Sequence, residues 1–140
     1  TYECSGSDDT PKILQMDIEG GEYDVLCFED EKTLSKFKIM IIEFHNLHKL
    51  FERDFLRMFS AIFDKIYKNF YICHAHPNNC CGIASLNGNS TPRVMEITFI
   101  RKDCVLSCSS SSKVQLPHDL DRKNVHYKRD IIMPSSFWSS

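Results

Sequence analysis

The stretch KILQMDIEGGEYDVL, Lys12–Leu26, decides the fold of this chain. Its first five residues, Lys12–Met16, are mostly apolar and predict a buried strand. Asp17 and Glu19 follow that strand, and Gly20–Gly21 permit a sharp turn before an amphipathic pattern begins. In open α/β sheets, ligands bind beyond the carboxyl ends of the strands. The two carboxylates are therefore candidate ligand-binding or catalytic groups.

Strand and helix patterns alternate along the rest of the chain. The sequence predicts helices over Gly21–Phe28, Asp30–Leu34 and Leu47–Asn69 (with Asn46 as N-cap), strands over Lys38–Phe44, Phe70–His74 and Arg93–Arg101, and a loop over His76–Pro92. The order strand-helix-strand-helix-strand-strand predicts an α/β fold with a mostly parallel sheet. No helix separates the last two strands, so we expect them to pair antiparallel at one edge.

Two of these segments have informative compositions. The second strand, KIMIIEF, is apolar almost throughout, which is typical of a strand covered on both faces. The long helix carries apolar residues at steps of three and four. Its phenylalanines, Phe51, Phe55, Phe59 and Phe63, fit a core better than a cofactor pocket.

Composition limits the domain organisation and the partners. The chain has 140 residues, about one domain's worth, and we divide it into a leader or linker (1–11), a partial α/β domain (12–102), and a Ser-rich linker with an extended carboxyl-terminal tail (103–140). The net charge of −2 gives no field that favours nucleic acid. The longest aliphatic run, Ile39–Ile42, is far too short for a membrane segment.

The seven cysteines do not define the cellular compartment. Their number is odd, and no C-x-x-C spacing of a zinc or thioredoxin site occurs. Cys27 and Cys73 lie within apolar patterns and are predicted to be buried thiols. Cys80–Cys81 and Cys104 with Cys108 lie in loop-like sequence, where disulfides would form in an oxidising compartment.

The first candidate site residues are Asp17, Glu19 and Glu22. Carboxylates at a strand end can take a proton, bind a metal or grip a ligand hydroxyl. The structural alternative is that Glu19 and Glu22 favour the helix amino terminus while Asp17 accepts from turn amides.

Glu43 and His45 end the second strand. If the strands are parallel, these side chains emerge at the same edge as Asp17. A metal site of Asp17, Glu43 and His45 is one possible use of that proximity. The sequence assigns no metal there.

His74, His76 and Asn78 follow the third strand, again as polar groups near a strand end. The two histidines are two residues apart and would share one face of a strand. They fit either a ligand-contacting role or a structural role in the loop. A second possible metal site, of His74 and His76 with Cys80 or Cys81, has a spacing that matches no standard site.

These motifs resemble one family. ILQMDIEGGEYDVL is similar to the lKiDvEGaE signature of FkbM-type methyltransferase domains, and IMIIEFH resembles the strand that follows it. HAHPNN and VMEITFIRKD are similar to the closing strands of members found in animals. The resemblance implies a Rossmann-like class I fold and O-methyl transfer from S-adenosylmethionine.

The resemblance also implies roles for individual residues. Asp17, Glu43 and His45 would be the catalytic residues, beside the methyl donor and facing the acceptor. The acceptor, a small molecule or a glycan with a free hydroxyl, would be bound by the remaining candidates: Glu19, Glu22, His74, His76 and Asn78.

One feature of the family is missing. Its members hold the cofactor mainly through a glycine-rich loop, and this chain contains no G-x-G. The predicted sheet is therefore only the carboxyl-terminal half of the class I sheet, and the cofactor-binding residues are unknown. We expect the chain alone to bind S-adenosylmethionine weakly or not at all. The alternative is a catalytically inactive binding module whose exposed sheet edge pairs with a partner.

Overall fold

A computed structural model describes residues 10–105 and 118–133. Its strands and helices are β1 (Lys12–Met16), α1 (Glu22–Phe28), α2 (Glu31–Leu34), β2 (Phe37–Phe44), α3 (Arg53–Tyr67), β3 (Phe70–Pro77), β4 (Ile83–Leu86), β5 (Asn89–Pro92) and β6 (Met95–Arg101). Two 3-10 turns span Leu47–Phe51 and Lys102–Cys104. Most of the predicted leader and the Ser-rich part of the predicted linker lie outside the described residues.

The main sheet is mixed and has four strands in the order β1-β2-β6-β3. β1 and β2 are parallel, and β6 runs antiparallel to both β2 and β3. The fold is therefore mixed α/β, and the predicted antiparallel pairing of the last two sheet strands is confirmed. The prediction of a mostly parallel sheet is wrong, because two of the three strand pairings are antiparallel. Because β1, β2 and β3 run in one direction, their carboxyl ends meet at a single edge, which we call the acidic edge for the side chains described below.

The core lies on one face of this sheet. Met40, Ile42 and Phe44 of β2 are fully buried, whereas Ile39 and Ile41 between them are partly exposed. The expectation that β2 is covered on both faces is therefore wrong for the described residues. Helix α3 covers the buried face with its apolar stripe.

The aromatic side chains of α3 form part of this core, as predicted. The Phe59 and Phe63 rings stack with centroids 4.3 Å apart, and the Phe44 ring lies 5.4 Å from that of Phe63. Such pairs add to the stabilisation that burial alone supplies. The long helix is thus a packing element and not a cofactor pocket.

The predicted single helix over Leu47–Asn69 is wrong at its start. Asn46 has a left-handed backbone with φ of +57° and makes no side-chain cap. A 3-10 turn follows it, and α3 begins only at Arg53. The Leu47 amide donates to the Arg93 carbonyl at 3.0 Å, which ties this segment to the residues just before β6.

The short helix α1 is held by a lysine from α3. Lys65 Nζ donates to the carbonyl oxygens of Leu26, Cys27 and Glu29 at 2.7, 3.1 and 2.8 Å. These groups belong to the last turn of α1, where carbonyls lack partners within the helix. The contact fixes α1 against α3 and thereby the position of Glu22 at its start.

The predicted loop over His76–Pro92 is partly wrong, because β4 and β5 form a hairpin within it. Asn87 and Gly88 form its two-residue turn, with φ of +50° and +82°. An Asn-Gly pair between strands is a strong hairpin signal, and it was present in the sequence.

The cysteines agree with expectation in part. Cys27 and Cys73 are exposed thiols, so their predicted burial is wrong. Cys80 and Cys81, neighbours in sequence, are joined as a disulfide. None of the helices in the described residues is long and apolar enough to cross a membrane.

Candidate functional site

The carboxyl ends of three strands bring candidate residues from distant parts of the sequence to the acidic edge. Asp17 follows β1, Glu43 and His45 lie at the end of β2, and Asn78 follows β3. The expectation that these groups emerge at one edge is met, because Met16 pairs in register with Ile42 of the parallel neighbour. The side chains can therefore act on one ligand.

Asp17, Glu43 and His45 form the centre of the cluster. One ligand atom from each lies within 4.8 Å of the others. His45 Nε2 lies 3.7 Å from an Asp17 oxygen and 3.4 Å from a Glu43 oxygen. The His45 side chain is only 12% exposed, whereas that of Asp17 is 54% exposed. A ligand that approaches from solvent therefore meets Asp17 first.

The turn after β1 adds Glu19 to the cluster. Glu19 has a left-handed backbone with φ of +56°, uncommon for a residue with a side chain. This conformation accompanies a contact of 3.4 Å between a Glu19 oxygen and His45 Nε2. Gly20 follows with φ of +106°, and a Cβ there would lie 2.8 Å from Asn46 Nδ2. Only glycine fits this close approach of the two strand ends.

Glu22 lies behind the cluster and has no exposed surface. Its carboxylate accepts from the Gly20 amide at 2.8 Å and from the His45 amide at 2.6 Å. Both carboxylate oxygens are thus used by backbone groups, one from each strand end. Glu22 therefore holds the two strand ends together and does not reach the open side of the site.

Glu43 is the most electrostatically perturbed acid of the cluster. Its side chain is 15% exposed, and Asn78 Nδ2 donates to it at 2.8 Å. Burial and the neighbouring charge of Asp17 raise the pKa of Glu43, against the opposing effect of the Asn78 hydrogen bond. Two carboxylates this close disfavour simultaneous ionisation, which is typical of sites that handle protons or cations.

Tyr23 supports His45 and was not among the predicted site residues. Its hydroxyl donates to the His45 carbonyl, and burial raises the pKa of Tyr23 so that the hydroxyl stays protonated. Tyr23 follows Glu22 directly, so adjacent residues of α1 hold the carbonyl and the amide of His45. The sequence carries no signal for this role, because it depends on a contact 22 residues away in the chain.

The structure does not place His74 and His76 in the cluster. His74 Nε2 lies 2.9 Å from an Asp121 oxygen, and His76 Nε2 lies 3.7 Å from an Asp130 oxygen. Both aspartates belong to the segment 118–133, which runs beside β3. The two histidines therefore contact this segment.

Asn79, which was not among the predicted site residues, holds the segment 118–133 in place through hydrogen bonds. Its Nδ2 donates to the Val125 carbonyl at 3.0 Å and lies 3.4 Å from the Lys128 carbonyl, and the Val125 amide donates to its Oδ1 at 2.8 Å. Its neighbour Asn78 contacts Glu43 instead. Two consecutive asparagines thus link the cluster to the segment 118–133.

A hollow of about 480 Å³ lies at the opposite end of the sheet. Its lining includes Ser35, Lys68, Arg101 and Asp103. Arg101 is paired with Asp103, and Lys68 with Glu31. The hollow lacks the carboxylate convergence of the acidic edge, which remains the candidate site.

Comparison with known proteins supports a family assignment. Residues 5–71 match the model of the methyltransferase FkbM domain. The resemblance to FkbM-type methyltransferases is confirmed. The FkbM match spans β1 to α3 and includes Asp17, Glu43 and His45; it does not distinguish members found in animals from others. Among curated proteins and among solved structures, no match to this chain is found.

Proposed function

We propose that this chain is part of a methyltransferase that uses S-adenosylmethionine and transfers a methyl group to a hydroxyl oxygen. The observation that carries the proposal is the convergence of Asp17, Glu43 and His45 beyond two adjacent parallel strands. These residues lie within the part of the chain that matches the FkbM methyltransferase domain. The proposed acceptor is a small molecule or a glycan with a free hydroxyl.

Asp17 is the proposed base for the acceptor hydroxyl. Its side chain is more than half exposed, so an acceptor oxygen can reach it without rearrangement of the core. As the acceptor oxygen attacks the methyl carbon, its proton passes to the carboxylate. Glu43 and His45 flank this position and stabilise the proton that Asp17 receives. The remaining contribution of the protein is to align the acceptor and exclude water.

The other candidate residues are assigned by their distance from this centre. Glu19 and Asn78 border the cluster and are proposed to contact the acceptor directly. Glu22 acts on the acceptor only through the backbone of His45, which it fixes. His74 and His76 face the segment 118–133, and we propose that they position this segment beside the acceptor site.

The acidic edge suits the methyl donor electrostatically. S-adenosylmethionine supplies an electrophilic methyl group on a positively charged sulfonium. Four carboxylates converge on one histidine at this edge and favour a cation beside them. No residue of the described ranges is assigned to the adenosine moiety.

We further propose that strands which pair with β1 complete the sheet and hold most of the donor. Among the described residues, β2 is the strand that pairs with β1. Ile13 of β1 is 63% exposed. An exposed isoleucine on the last strand of the described sheet favours a further pairing partner. The Rossmann-like sheet would then extend on that side.

The proposal is tested by methyl transfer in the longest natural form of the protein that contains this chain. Labelled S-adenosylmethionine is supplied with a panel of methyl hexosides and short oligosaccharides. We expect label on an acceptor oxygen and release of S-adenosylhomocysteine. Asp17→Asn should lower kcat by about 100-fold or more, because a positioned base contributes on that scale.

Asp24→Asn is the matched control, because Asp24 is an exposed acid in the first turn of α1. It should leave the rate unchanged. Equal activity of the Asp17→Asn and wild-type proteins would rule out Asp17 as the base. Absence of S-adenosylmethionine binding by calorimetry in the longest form would rule out the methyltransferase itself.

A further inference from the structure

His45 Nε2 faces three carboxylate oxygens and bonds to none of them. Oxygens of Glu19 and Glu43 lie at 3.4 Å and one of Asp17 at 3.7 Å. Normal hydrogen bonds of this type are about 2.7–3.2 Å long. The His45 side chain is 12% exposed. The nitrogen is thus aimed into the cluster without a direct partner there.

The same distances suit atoms that share a metal ion. Two ligands about 2.0–2.2 Å from one cation at a tetrahedral angle lie roughly 3.3–3.6 Å apart. We propose that Asp17, Glu43 and His45, whose ligand atoms lie within 4.8 Å of one another, bind one divalent transition-metal cation.

The imidazole also has the support that a metal-bound histidine needs. Such a histidine usually directs its second nitrogen at a carboxylate. His45 Nδ1 is buried, has no hydrogen bond, and lies 3.4 Å from a Glu22 oxygen. Glu22 is itself fixed by the Gly20 and His45 amides. A small shift of the ring toward Glu22 would complete the pair and direct Nε2 at the cation.

The charge of the cluster also favours a cation. In residues 10–105 and 118–133, the ion pairs of its acids, Asp17, Glu19, Glu22 and Glu43, all go to His45. One imidazole cannot neutralise four carboxylates even when it is protonated. A dication among them offsets their mutual repulsion.

The donor set selects the kind of metal. Two carboxylates and one imidazole suit Mn²⁺ or Zn²⁺ better than Cu⁺ or an iron–sulfur cluster, which prefer sulfur. Asp17 and Glu19 are 54% and 85% exposed, so the solvent side stays open for a further ligand. If the proposed function holds, that ligand is the acceptor hydroxyl, whose pKa the cation lowers. This last step rests on the proposed function, whereas metal binding does not.

The test is direct metal binding by the 140-residue chain after removal of metals with EDTA. Mn²⁺ alone is titrated and followed by electron paramagnetic resonance, with Zn²⁺ as competitor. We expect one Mn²⁺ per chain with a Kd below about 1 mM. Zn²⁺ should displace Mn²⁺, because Zn²⁺ binds more tightly in the Irving–Williams series. His45→Gln and Asp17→Asn should each weaken Mn²⁺ binding by about tenfold or more.

Two exposed residues outside the cluster serve as controls: His126→Gln and Asp64→Asn should bind Mn²⁺ like the wild type. Circular dichroism verifies that each variant folds, and Asp17→Asn keeps the test valid if His45→Gln does not. The proposal would be overturned if neither Mn²⁺ nor Zn²⁺ bound at concentrations up to about 1 mM, which is the range of weak metal sites. It would also be overturned if neither variant weakened the binding. Methyl transfer is measured separately, so a metal site without methyl transfer would refute only the proposed function.

Discussion

Two regions of the molecule bring histidines against carboxylates, and they do so in different proportions. At the acidic edge, His45 faces four carboxylates at 3.4–3.7 Å. Along β3, His74 and His76 each face one aspartate, at 2.9 and 3.7 Å. The first arrangement has an excess of acid, while the second matches its partners one to one.

The difference distinguishes a candidate ligand site from a structural contact between two segments of the chain. The His74–Asp121 pair, at 2.9 Å, satisfies both members and joins two parts of the chain, whereas His76 Nε2 and Asp130 Oδ1 are buried without a hydrogen bond. A histidine outnumbered by acids leaves negative charge that a proton or a cation must offset. Residue types alone do not distinguish the acidic edge from the contacts along β3, because both regions contain histidines and acids near strand ends.

Loss of Glu22 should have the largest effect, because it tests whether the acidic edge depends on its buried carboxylate. Glu22→Ala leaves the Gly20 and His45 amides without their acceptor. Each unsatisfied buried donor costs about 1–3 kcal/mol, so we expect the free energy of unfolding to fall by roughly 3 kcal/mol. Urea denaturation measures it. Glu29→Ala, at an exposed acid, should change it by less than about 0.5 kcal/mol; similar losses for both would refute the role of Glu22.

Loss of Asn79 should have an intermediate and local effect, because the Asn79 side chain holds the segment 118–133 in place. Asn79→Ala removes the side-chain hydrogen bonds to Val125 and Lys128. We expect a loss of about 1–2 kcal/mol, at roughly 0.5–1.5 kcal/mol per net hydrogen bond. Hydrogen exchange at the Val125 amide should accelerate about tenfold or more. Asn89→Ala, at an exposed hairpin position, should leave that amide protected; unchanged exchange in Asn79→Ala would mean that other contacts hold the segment.

The smallest effect concerns the pH dependence of Glu43, measured with EDTA present. Its pKa is raised in the folded state by burial and by Asp17. The folded protein therefore retains a proton that the unfolded chain releases, and the free energy of unfolding falls as pH rises from the ordinary carboxyl pKa through the folded value. Glu43→Gln should reduce this fall and can still accept from Asn78 through its amide oxygen.

The exposed acid Glu96, which pairs across the sheet with Glu43, provides the comparison for that measurement. Glu96→Gln should retain the wild-type slope of unfolding free energy against pH. A Glu43→Gln protein with the wild-type slope would show that this carboxyl titrates alike in both states.

Much of the fold was predictable because it follows from local periodicity. The bounds of β1 agree with the sequence pattern, and the apolar stripe of α3 forms the core. The errors lie where distant contacts override local preference. Asn46 is a residue type that favours an N-cap, but it has a left-handed backbone and precedes a 3-10 turn that is hydrogen-bonded to Arg93.

The candidate site shows the same division. Asp17, Glu43, His45 and Asn78 were predictable as neighbours, because parallel strands deliver their carboxyl ends to one edge. The inward position of Glu22 was not, since it depends on two backbone amides from different strand ends. The contacts of His74 and His76 likewise required knowledge of where 118–133 lies.

The sequence by itself determined the order of strands and helices, the family resemblance and the presence of acids at strand ends. These follow from side-chain periodicity and from motifs confined to a few consecutive residues. Only the tertiary structure decided which acids face the open edge and which histidine they surround. The physical reason is that a buried polar group takes its role from the hydrogen-bond partners available to it, and His45 is bonded to Glu22 and Tyr23, more than twenty residues away in the chain.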